Sequence, residues 1–286
     1  MTITTDFQIE LAGLLMGAGT NYNLVQIDGL AVPPVRTSDT TLQRRHGATA
    51  GDDFLGGRGV VLGIEVLANA AGEDIDVLAA ALQVALIPGQ AEVILEFQLP
   101  GRAGGGRRRI TGRPRAHADP HDLRRSRGIP TFLVEFFAPD PRIYDATPDS
   151  VTINLPTSGS GSSFPWTFPV NFGGTSESGA VVVTNEGNFE SLPVFRIDGP
   201  VVNPEIENVT TGETLSLTIS IGASDFLVID TSEPSVLLNG TASRFPNVDT
   251  ASRFPTLAPG DNEIRFRAST DTAATLGIDW RSAWIA

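Results

Sequence analysis

Residues 131–145 read TFLVEFFAPDPRIYD. Phe132, Val134 and Phe136 fall on one face of a strand and Leu133 and Phe137 on the other, with Glu135 the only charge, so the pattern predicts a central strand buried on both sides. Pro139 has no amide to donate, and Pro141 holds Asp140 out of the helical region, so pairing is expected to stop near Ala138. The residues before this stretch build one β-rich domain and those after it build another.

The length of 286 residues allows two ordinary domains, and 41% hydrophobic with 19% charged residues is a globular composition. The formal charge of −13 is unevenly spread: residues 1–147 hold 14 Arg against 17 acids, and residues 148–286 hold 6 against 16. The acidic second half disfavours nucleic acid as its partner. With no cysteine, neither disulfides nor thiolate metal sites are possible. The N-terminus lacks the pattern of a signal peptide, and no apolar run is long enough to span a bilayer, so the chain is expected to be cytosolic when made and soluble.

Outward from the opening stretch, the first half offers β-like runs at Phe7–Leu11, Leu14–Gly19 and Tyr22–Ile27, the last closed by the Asp28-Gly29 hairpin signal. Arg44 to Gly59 reads as a long loop, and loops of that length are usually functional or ordered by a partner. Val60–Leu67 alternates as a strand. Glu73–Leu86 is the one helix expected, with Ile75, Leu78, Leu82 and Leu86 at helical spacing and acids in its first turn. Glu92–Leu99 follows as a strand, and Gly101–Gly106 as a hairpin tip.

Ala146–Ser163 turns to Ser, Gly, Thr and Pro around one short apolar strand at Val151–Leu155, and Thr147–Ser163 is expected to separate two independently folding units, 1–147 and 148–286. Strand-sized runs then recur at Ala180–Thr184, Val194–Ile197, Leu215–Ile219, Phe226–Ile229, Val236–Leu238, Asn262–Phe266 and Thr275–Trp280. Two antiparallel sheets packed face to face are the natural arrangement. The hexapeptide TASRFP occurs twice, at 241–246 and 250–255, as a local loop duplication.

Candidate chemistry is sparse. His117, Asp119, His121 and Asp122 could ligate a metal, but Pro120 breaks any shared face and a polar loop explains them better. Gly159-Ser160-Gly161 lacks the context of a nucleophile elbow. No catalytic, cofactor or metal residues are expected. The nine arginines between Gly101 and Gly128 have no interleaved aromatics for base stacking. The run with Arg107, Arg108, Arg109 and Arg113 is read as a solvated strand pair or as subunit-interface residues facing carboxylates of a neighbour, and Arg44 and Arg45 are taken as subunit-interface residues as well. Trp280 reads as core, and Trp284 is left as a possible ligand contact.

The order of motifs resembles the distal tail protein of long-tailed phages (siphophages) and its relatives among phage minor tail proteins. The resemblance is carried by Gly19-Thr-Asn-Tyr22, Ile27-Asp-Gly29, Gly57-Arg-Gly-Val-Val-Leu62, Leu99-Pro-Gly101 and Val134 to Tyr144. In the second half it is carried by Phe195 to Pro204, Asn208 to Gly212, Ile229-Asp-Thr231, Leu238-Asn-Gly240, Leu257 to Asn262 and Trp280 to Trp284. It implies a mainly β protein: an N-terminal β-sandwich or barrel-like domain with one helix, closing six-fold into a ring, and a C-terminal galectin-like sandwich. The implied role is a structural hub at the virion's distal tail, assembled in the host cytoplasm. The implied partners are further copies of itself, the tail tube and tape measure proteins, a tail hub or tail-associated protein, and fibres or receptor-binding proteins. The alternative is a two-domain lectin-like module recognising a surface glycan.

Overall fold

In the computed structural model, which describes residues 3–70, 72–89, 91–101, 103–156, 179–269 and 273–286, the opening stretch forms a strand over Thr131–Ala138. Phe132, Val134, Phe136 and Ala138 are buried, but Leu133 and Glu135 are exposed and Phe137 is half-buried. The strand is central, hydrogen-bonded on both edges, yet covered on one face only. Alternation of side chains, rather than a continuous apolar run, decides its burial.

The chain divides into two compact units, Met1–Ala146 together with Trp284–Ala286, and Thr147–Ala283. The last three residues therefore belong with the first unit rather than with the expected 148–286. Its main strands are β1 (Gln8–Leu11), β2 (Leu14–Gly17), β3 (Tyr22–Asp28), β4 (Arg58–Val66), β5 (Val93–Gln98), β6 (Arg107–Ala118), β7 (Thr131–Ala138) and β8 (Ile143–Asp145). They are ordered β2-β1-β5-β6-β7-β4-β3, with β8 also against β6. The first half of β6 pairs with β5 and β8, and the second half with β7. A register shift between Pro114 and Ala116 marks the change of partner, where proline withholds a ladder donor. Ile9, Leu11, Leu95 and Phe97 from one end of the order share a core with Leu62, Ile64, Phe132 and Phe136 from the other.

Helix α1 (Ile75–Ala85) is N-capped by Asp74, whose side chain accepts from the Asp76 amide. Ala79, Leu82 and Leu86 are buried, and Leu78 packs against the same core. A second helix, α2 (Leu123–Ser126), was not expected; Asp122 caps its single turn, which is too short to carry a periodic signal. The Asp28-Gly29 step does end β3, but its partner β4 returns only after residues 29–57. Gly29, at φ +92°, lies against the Gly59 carbonyl, where a Cβ would be 1.9 Å from the oxygen. The excursion begins before Arg44, because its stem pairs Val35–Arg36 with Phe54–Leu55, and Thr40–Thr41 with Ala48–Thr49.

The second unit is a sandwich of β9 (Asp149–Asn154), β10 (Ala180–Asn185), β11 (Val194–Asp198), β12 (Glu205–Asn208), β13 (Glu213–Ser216), β14 (Phe226–Asp230), β15 (Ser235–Leu238), β16 (Gly260–Arg267) and β17 (Thr275–Trp280). One sheet runs β9-β17-β11-β14-β15 with Ala242–Ser243 at its edge, the other β10-β16-β12-β13. Phe195, Ile197, Leu227, Ile229 and Ile278 meet Ile206, Leu215, Ile264 and Phe266 between them. The short strand expected at Val151–Leu155 is β9, two residues longer at its start, and it pairs with β17 along its whole length. Residues 157–163, including Gly159-Ser160-Gly161, lie outside the described residues. Buried asparagines replace disulfides as staples. Asn185 donates to the Phe189 and Leu257 carbonyls and accepts from the Gly187 and Ala283 amides, while Asn208 donates to Asn262.

Candidate assembly surfaces of the first unit

Arg58, at the start of β4, is fully buried. Among the described residues it has no carboxylate within hydrogen-bond reach. Its Nε donates to the Pro141 carbonyl at 2.9 Å, Nη1 to those of Gly29 and Ala31 at 2.7 and 2.6 Å, and Nη2 to that of Ile285 at 2.6 Å. One rigid guanidinium thus gathers the base of the excursion, the Asp-Pro segment after β7, and the C-terminal residues. Burial pulls its pKa down to about 10, against a smaller opposing pull from Asp140.

The Arg-rich strand β6 is largely occupied within its own chain. Arg107 pairs with Glu96 at 2.5 Å, and the buried Arg108 pairs with Asp145. The Arg108 guanidinium also lies 3.8 Å from the centroid of the Trp284 ring, a cation–π contact. Trp284 is 6% exposed and belongs to the first unit's core. Arg109 and Arg113 are half-buried. Arg115 covers Phe137, Arg124 pairs with Glu65, and Arg125 pairs with Asp119, to which Gln83 also donates. Asp119 is therefore held as a link between α1 and the α2 loop, while His117 and His121 are exposed beside it. Trp280 packs partly against the second unit's core and donates from Nε1 to the Thr184 carbonyl at 3.0 Å.

Arg44 and Arg45 sit in a different setting. Every residue from Pro34 to Phe54 is exposed, so these two arginines project at the tip of a hairpin arm that its own chain does not cover. Glu73, just before α1, accepts from the Ala70 amide and from Asn21, and these bonds hold its carboxyl below the ordinary carboxylate range. The sequence signalled neither the Arg58 cluster nor the Arg108–Trp284 contact, because both join segments from opposite ends of the chain.

Two units built on antiparallel sheets, with arginines serving as internal clasps, define a mainly β protein. Residues 186–284 match the family described as siphovirus-type tail component, C-terminal domain. Among solved structures, the chain is similar to SPP1 Dit, whose crystal structure is described as a paradigm of the hub adsorption apparatus in phages infecting Gram-positive bacteria. The match has 13% identity, covers 96% of this chain and 98% of that one, and has a TM-score of 0.66. It is also similar to a chain of the phage P2 baseplate in its activated conformation with calcium, at 12% identity, 95% and 96% coverage and a TM-score of 0.45. No curated protein sequence matches. The resemblance to the siphophage distal tail protein family is borne out by the family match in the second half and by a fold shared across both units.

Proposed function

We propose that this chain is a non-catalytic structural component of a long-tailed phage tail tip. In this reading it is a six-fold hub joining the tail tube and tape measure to the tail-associated, fibre or receptor-binding proteins below. The observation that carries the reading is the match of residues 186–284 to the siphovirus-type tail component domain. The shared fold over nearly the whole chain is consistent with it.

Residues 1–145 are the ring-forming part, and the second unit, with an excess of ten acids, suits a peripheral position where copies stay apart. Arg107 and Arg108 already have carboxylate partners in their own chain, so the interface role falls to the arm that carries Arg44 and Arg45. The lectin-like alternative loses its aromatic platform, since the Trp284 ring is buried beneath Arg108. Electron microscopy of assembled tails labelled on this chain tests the reading: a six-fold collar at the tip is expected, and a single copy on a fibre or a three-fold spike refutes it.

A further inference from the structure

Helix α1 is apolar on both sides. Opposite the face that enters the core, Val77, Ala80, Ala81 and Val84 point outwards, continued by Ile87 just beyond the cap. Val77, Val84 and Ile87 are 64, 68 and 63% exposed. A helix apolar all round is the pattern of a buried helix. Its only charged residue is Asp76, which with Glu73 and Asp74 makes the N-terminal end acidic, and no basic residue occurs between Arg58 and Arg102.

The tip of the arm presents the complementary surface, above a base that carries Asp39, Asp52 and Asp53. Val35, Leu42 and Phe54 are exposed along the arm, and its tip, residues 40–51, carries Arg44, Arg45 and His46 with no acid. Its two ribbons are only two residue pairs each, so it has little internal support.

We infer that the outer face of α1 is the docking site for the arm of a second copy of this chain. The arm's apolar side chains cover Val77, Val84 and Ile87, and Arg44 and Arg45 face Glu73, Asp74 and Asp76. The inference rests on the ring reading and adds the acceptor surface to it. Donor and acceptor are different elements of one chain, so the contact is head-to-tail and repeats until the rotation closes. Burying the valine and isoleucine side chains supplies the affinity, and the charges set the register.

The absence of cysteine permits a direct test with the full chain. Leu42→Cys and Val84→Cys proteins, each checked for an unchanged circular dichroism spectrum, are mixed under mild oxidation. A mixed disulfide dimer is expected, and the double variant is expected to give a covalent ladder. Arg44→Glu with Arg45→Glu is expected to cut the yield about tenfold, and Asp76→Arg to restore part of it. Oligomers seen by sedimentation without a 42–84 disulfide overturn this interface while leaving the ring intact. A disulfide formed only within one chain also overturns it. A chain that stays monomeric at every concentration and is absent from six-fold density in tails removes both the ring and this interface.

Discussion

Replacing Arg58 with methionine keeps the aliphatic stem and removes all four guanidinium hydrogen bonds. The carbonyls of Gly29, Ala31, Pro141 and Ile285 are then left without their donor in a site where the side chain is fully buried. A hydrogen bond to a charged group contributes about 1.5–3 kcal/mol, and a stranded buried acceptor costs about 1–3 kcal/mol. Removing a buried cation returns part of this, because the desolvation that lowers the Arg58 pKa disappears with it. The net expectation is a loss of about 3 kcal/mol, or roughly 10 °C in the first unit's melting temperature. Arg58→Lys is expected to recover less than half, since a compact ammonium cannot span acceptors on three segments. Differential scanning calorimetry should show the first unit's transition falling while the second unit's stays in place. Iodide quenching should rise at Trp284 as Ile285 is released. A shift of Arg58→Met no larger than that of the exposed control Arg36→Met would refute the reasoning.

Charge reversal at Arg108 is expected to unfold the first unit rather than merely block assembly, since breaking a buried ion pair costs about 3–5 kcal/mol; urea titration of the isolated chain, with Asp145→Asn in a double-mutant cycle, measures this. A fragment ending at Ala146 lacks Trp284 and should be less stable by about 3–5 kcal/mol than the full chain's first unit, a gap that chemical denaturation reads. Gly187→Ala should disrupt the second unit, because the new Cβ would lie 1.7 Å from the Ala283 carbonyl oxygen; loss of its calorimetric transition is the readout. The depressed Glu73 carboxyl stabilises the fold above its unfolded pKa and loses that contribution as pH falls through the lower folded value. The Ala70 amide resonance should therefore move at acid pH in the wild type and not in Glu73→Gln.

Local patterns carried most of the fold. Alternation at Phe132, Val134 and Phe136, and the spacing of Leu78, Leu82 and Leu86, placed a strand and a helix that the structure contains. Most strands of the second unit lie within a few residues of their apolar runs, but Glu205–Asn208 escaped because two of its four residues are charged. The fate of Leu133 was not legible either, since its sequence pattern says nothing about whether a second layer covers that face. Nor was the satisfaction of the arginines. A run such as Arg107-Arg108-Arg109 reads as an unpartnered patch until Glu96 and Asp145 arrive from neighbouring strands. The outward apolar face of α1 was present in the letters at Val77, Val84 and Ile87, but four inward positions already accounted for a helix, so no signal marked the surplus.

That Trp284 and Ile285 complete the first unit has a consequence for biosynthesis. The first unit's strands are translated early, yet its tryptophan and its fourth Arg58 acceptor emerge only after residues 147–283 have been made. At about 5–20 residues per second that delay is on the order of ten seconds or more. During it the Arg58 guanidinium is only partly satisfied and the site beneath Arg108 is empty. Prematurely terminated chains never leave this state, so a truncated product keeps an unfinished core in its first unit.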